Sequence, residues 1–227
     1  PITRLESLKE FWKYAIINGL EKLAYNVSRN LIESTEPSVE LSDYAIQLAR
    51  AHIFNKNFQQ AEKWILFVEN YVSQSNELDQ SDLDNVKFLY DLQKSKDEDT
   101  FIKNLEQNLI AKIKKEKTLN DYNETLKTIF SVILNEKDII DKINDEKKID
   151  DDRSMPSNFI INTINHSSEN NKIGELILTA LVSLDEKTWT EVHPQYLKIL
   201  LQSLKKSKLD NLFQDLIIEI FEECKII

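Results

Sequence analysis

A chain of 227 residues with 41% hydrophobic and 30% charged residues has the balance of a folded, soluble protein with a sizeable core, not of a disordered one. Its two glycines, Gly19 and Gly174, exclude Gly-rich phosphate loops and nucleotide fingerprints, which need several glycines for close backbone approach, and they favour helices over tight hairpins. A formal charge of −10, from 29 basic and 39 acidic residues, repels a phosphate backbone, so no nucleic-acid partner is expected.

The first predicted element places Leu5, Leu8, Trp12, Ala15 and Ile16 at helical spacing, and the pattern resumes after Gly19 with Leu20, Leu23, Ala24, Val27 and Leu31. One long helix or two is expected, with Gly19 as the break; a helical Gly there would cost about 1 kcal/mol. Ser34–Ser38 ends the element, because the residue before Pro37 is pushed out of the α region. Ser42–Tyr71 then reads as a helix, a polar turn and a second helix. Ser42 is the expected N-cap, with Asp43 in the first turn, and Ala45, Leu48, Ala49 and His52 share one face. Asn57 and Gln60 suggest a capping box for the second helix, whose stripe is Ala61, Trp64, Ile65 and Val68.

In this stretch Leu48, Ala49, Phe58, Ala61, Ile65 and Val68 fall at a spacing that resembles a tetratricopeptide repeat over roughly thirty residues. Three positions depart from it: His52 stands where Tyr is usual, Lys56 where Gly is usual, and no Pro follows the second helix. An ordinary αα-hairpin with alanines at its contact accounts for the same residues. The resemblance implies a right-handed α-solenoid of stacked hairpins whose concave surface receives a peptide or helix of a partner. In that register Asp43, Ile46, Arg50 and Ile53 would line the surface, and Arg50 would grip a carboxylate through two parallel hydrogen bonds. An arginine on a solvated face explains Arg50 equally.

Further along, Ser81 and Asp84 read as a cap before a helix with Val86, Leu89 and Tyr90, and Lys94–Thr100 as a loop. A helix from about Phe101 to Lys115 carries Ile102, Leu105, Leu109 and Ile113. Thr118 and Asp121 then box the next, with Tyr122, Leu126, Ile129, Phe130, Ile133 and Leu134. Ile139, Ile140 and Ile143 support another helix before the Asp150–Asp152 run, an exposed loop or a hinge. In the final third Ile173, Leu176, Ile177, Ala180, Leu181 and Leu184 keep a helical rhythm. Thr188 and Glu191 box around Trp189, and Pro194 suits the first position of a helix with Tyr196, Leu197, Leu200, Leu201 and Leu204. Ser207 and Asp210 are expected to cap the last helix, which carries Phe213, Ile217, Ile220 and Phe221. The short connection makes the last two helices antiparallel, giving three stacked helices with the middle one sandwiched.

No catalytic, cofactor or metal site emerges. His52, His166 and His193 lack paired-ligand spacing, and the Asp150–Asp152 run lacks the alternating ligands and Gly of an EF-hand. Cys224, the single cysteine, permits no internal disulfide, and Glu222 and Glu223 beside it disfavour a thiolate. The basic clusters Lys112–Lys117 and Lys205–Lys208 read as solvated helix ends. No apolar run approaches the roughly 18 residues of a membrane span. A start at Pro1 suggests a processed product or a piece of a longer chain, in cytoplasm or periplasm.

The expected fold is therefore all-α, either stacked antiparallel hairpins in a solenoid or an irregular multi-helix bundle. The organisation expected is an array over 1–150 and hairpins over 154–227, either separate from it or continuous with it as one solenoid. The expected function is a non-enzymatic scaffold or adaptor for a protein or peptide. The alternative is a structural subunit that packs its apolar last helices against copies of itself or a larger assembly.

Overall fold

A computed structural model of the chain describes residues 2–72, 80–95, 97–115, 123–133, 153–185, 187–224 and 226–227. Among the described residues all named elements are helices, and a parallel bridge joins Ser154 to Val192. The fold is all-α. It forms two compact units, Pro1–Leu105 and Glu106–Ile226. The helix expected around Ile139–Ile143, the Thr118–Asp121 box and the boundary expected at Asp150–Asp152 lie outside the described residues.

In the first unit, α1 (Ile2–Ile17) turns at Gly19 into α2 (Glu21–Val27) and the short α3 (Arg29–Ile32). Gly19 has φ +68°, and around it the amides of Gly19 and Leu20 donate to Ile16 and Ala15 carbonyls at 3.1 and 2.8 Å. This left-handed residue is what lets the chain close off α1's last carbonyls and reverse. Trp12 then locks α1 to α2. Its ring meets Tyr25 edge-on at 5.0 Å, and its Nε1 donates to Ser28 Oγ at 2.8 Å while that hydroxyl donates to the Ala24 carbonyl at 2.6 Å.

A 3-10 turn, Val39–Tyr44, leads into α4 (Ala45–Phe54), followed by α5 (Phe58–Val72) and α6 (Gln80–Lys94). Ser42 is thus not the N-cap expected of it. It is buried inside the 3-10 turn, because Leu41 and Tyr44 turn inward before α4 begins, and its carbonyl accepts from Ala45 N–H. The hairpin itself forms where the sequence put it. Ala45, Leu48 and Ala49 on α4, and Ala61, Trp64 and Val68 on α5, expose no surface. Lys56 in the turn adopts φ +56°, the left-handed conformation a glycine would take without strain. Only one arm of the expected box is made: Gln60 N–H donates to Asn57 Oδ1 at 3.4 Å, whereas the Gln60 amide reaches Glu36.

The core of this unit centres on α4, which touches α2, α3, α5, α6 and the 3-10 turn. The expected loop over Lys94–Thr100 is shorter than its charge suggests, since α7 (Glu98–Lys115) starts after Asp97, whose carboxylate accepts from the Thr100 amide and hydroxyl at 2.8 and 2.9 Å. Likewise α6 starts one residue before Ser81, so Ser81 lies in its first turn and is no cap.

The second unit contains α8 (Asn123–Ile133), α9 (Asn158–Glu169), α10 (Ile173–Leu184), a 3-10 turn at Trp189–Glu191, α11 (Pro194–Lys206) and α12 (Asp210–Glu223). The Thr188–Glu191 box forms, with Glu191 accepting from Thr188 N–H at 2.9 Å, and Pro194 opens α11 beneath a His193 cap. Ser207 instead ends α11, buried at its C-cap, and Lys208 at φ +55° makes the turn to α12. Helix α11 does not sit chiefly between α10 and α12 as the expected stack had it. It packs on α8, α9 and α12, while α10 packs chiefly on α9.

Candidate functional site

The four residues that the tetratricopeptide register would turn to a partner do not form one open face. Asp43 is exposed, Ile46 and Arg50 are half-buried, and Ile53 is fully buried. Arg50 already holds a carboxylate, that of Glu21 on α2, with Nε to Oε1 at 3.1 Å, and its guanidinium lies 5.9 Å from the Phe54 ring centre. Tyr25 stacks on Phe54 with ring centres 5.7 Å apart, and burial raises its phenol pKa above the ordinary value, with Glu21 adding to the rise and Arg50 opposing it. Helix α2 therefore occupies α4 at Arg50. The arginine works as an internal clasp between these helices.

A different concavity appears in the second unit. Helices α10, α11 and α12 enclose an apolar groove of about 210 Å³, floored by Leu176, Ala180, Leu200 and Leu204 and flanked by Leu212 and Leu216. An apolar cavity of about 150 Å³ is enough for benzene, so this one has room for a leucine or aromatic side chain. Its mouth carries Trp189, Asp215 and Glu219, with Trp189 Nε1 donating to Glu219 Oε1 at 2.9 Å. Helix α12 bears no basic residue, and the two charged side chains it brings to the groove, Asp215 and Glu219 beside Leu212 and Leu216, are both acidic.

Helices α10 and α11 are joined by a side-chain contact between the Ser183 and Tyr196 hydroxyls near the α10 C-terminus, and burial raises the Tyr196 pKa against that hydrogen bond. Away from its contact with α9, α10 leaves large apolar side chains open. Leu178, Leu181 and Val182 are 64%, 63% and 65% exposed, and only Leu176 and Ser183 of the helix are buried. A stripe that reads as core in the sequence is therefore a surface in the structure. The signal that could have found it is the composition of α10: Leu178 and Val182 extend the apolar residues beyond one face, and a helix apolar nearly all round needs cover on more than one side.

The titratable groups singled out in the sequence sit apart from this groove. His52 is buried among α4's neighbours, which pushes its pKa down to about 4 despite the opposing pull of Glu33 and Glu36. Cys224 is buried too. Burial first, and Glu223 second, push its thiol up to about 11 against Arg153, which keeps it protonated. Among the described residues no cluster of His, Cys, Asp and Glu could hold a metal ion, and no helix is long and apolar enough to cross a membrane. Trp12 and Trp64 fill cores, while Trp189 is only half-buried at the groove mouth. Compared with known proteins, the chain matches no family model, no curated protein and no solved structure.

Proposed function

We propose that the protein is a non-enzymatic interaction module that holds a helix or peptide of a partner protein in the α10–α11–α12 groove. The observation that carries this reading is the exposed apolar side of α10 beside an open apolar cavity. Leaving Leu178, Leu181 and Val182 in water forgoes about 1.5–3 kcal/mol for each side chain that a partner could bury. A groove with apolar walls and few polar groups suits an amphipathic helix that inserts side chains at i, i+3 or i+4, and i+7. The acidic wall supplied by α12 selects against an acidic partner and favours one with lysine or arginine beside its apolar stripe. Within this reading the α4–α5 hairpin is a tetratricopeptide-like scaffold element, with its own first-helix face taken up by α2.

The test is a titration of the full chain with two designed helical peptides, one with a leucine stripe flanked by lysines and one with the same stripe flanked by glutamates. The lysine peptide is expected to bind, with Trp189 reporting by its fluorescence, and Leu181→Glu should weaken that binding roughly tenfold or more without changing the melting temperature. Equal binding of both peptides, or no response to Leu181→Glu, would remove the groove from the account.

A further inference from the structure

The first unit carries a second unpartnered surface, independent of the groove. On α1, Phe11, Tyr14 and Ile17 face solvent at spacings of three, 45%, 68% and 75% exposed. Beyond the Gly19 turn Leu20, Leu23, Val27 and Leu31 are open as well, 49%, 60%, 68% and 43% exposed. Buried positions on the same helices, Leu5, Leu8, Trp12 and Ala15 on α1 and Ala24 and Tyr25 on α2, already satisfy the core. The exposed stripe is thus surplus to the fold of this unit.

We propose that this α1–α3 surface is where a second copy of the chain docks, making a symmetric dimer. The first reason is area. With about 150–250 Å² for a large side chain when fully open, the stripe offers roughly 700 Å² of mainly apolar surface. Summed over the seven side chains, that approaches the ~800 Å² per partner of a standard interface. The second reason is charge. Residues 9–33 contain Lys9, Lys13, Lys22 and Arg29 against Glu10, Glu21 and Glu33, whereas the whole chain carries −10. Two copies can meet here without opposing like charges, which two acidic α12 walls could not do. A symmetric interface also needs only one self-complementary patch, and a mixed-sign apolar stripe is one.

Sedimentation equilibrium of the full chain, from micromolar to nanomolar, tests this. A dimer is expected, and Leu23→Glu combined with Val27→Glu should weaken its self-association at least roughly hundredfold by setting four carboxylates in the interface. Both residues are exposed in the folded unit, so the melting temperature of the dissociated species should be unchanged. Leu178→Glu with Val182→Glu serves as the control, since it alters the other apolar surface and should leave the dimer intact. A wild-type monomer at high micromolar concentration would overturn the proposal, as would a dimer that survives the α2 substitutions or one abolished only by those on α10. Monomeric chain that binds lipid vesicles through this stripe would also overturn it. Loss of the dimer through α10 alone would also bear on the groove, whereas the other outcomes leave peptide binding there untouched, so the two readings fail separately.

Discussion

His52 illustrates how one buried side chain gives the whole fold a pH dependence. Its ring is 1% exposed, its Nε2 has no hydrogen-bond partner, and burial holds its pKa at about 4 where an unfolded chain would have 6.5. The unfolded state therefore takes up a proton between those values and the folded state does not. Stability is fully present above pH ~6.5 and is lost progressively as the pH falls towards ~4. Urea unfolding across that range should show the decline, and His52→Leu should flatten it while being neutral or stabilising by about 1 kcal/mol at pH 7, because it removes an unsatisfied buried nitrogen. A slope unchanged by His52→Leu would assign the acid sensitivity to other groups.

At the level of elements, the α4–α5 hairpin was legible because its contact is written in small residues. Ala49 and Ala61 expose no surface at the contact between the two helices, so a bulkier side chain there would overpack it. Ala61→Lys should accordingly cost about 3 kcal/mol or more, by overpacking and by burying a charge where the alanine exposes nothing. Thermal unfolding measures it. Gly19 and the Thr188–Glu191 box were legible for the same reason: each depends on a local rule that neighbours do not override. Helix α9 was not read at all, since Asn158, Asn162, Asn165 and His166 mask a stripe whose one fully buried apolar residue is Ile164. Ser42 and Ser207 misled for another reason. A capping sequence states a preference, and the packing of Leu41 and Tyr44, or the turn at Lys208, decided where each helix begins. The groove was illegible because periodicity identifies apolar positions on α10 without saying whether any helix covers them.

For the molecule as a whole, the two proposed surfaces differ in their electrostatics and should respond to salt with opposite signs. Each copy carries −10, so dimerisation through a locally balanced stripe works against long-range repulsion. Added salt screens that repulsion, and raising ionic strength from 0.01 to 0.15 M, which shortens the screening length from about 30 to 8 Å, should tighten self-association. Binding of a lysine-flanked peptide to the acidic α12 wall relies on attraction and should weaken over the same range. Sedimentation and peptide titration in one salt series would measure both. A common sign would show that net charge does not distinguish the two contacts.

The sealed environment of Cys224 has a practical consequence. Because the native thiol is shut away and held protonated, the unmodified chain already serves as a silent background for maleimide chemistry. A cysteine introduced at Val27 or at Leu178 would be the preferred attachment point for a dye. Each contact could then be watched from its own fluorophore, with every natural residue of the core left in place.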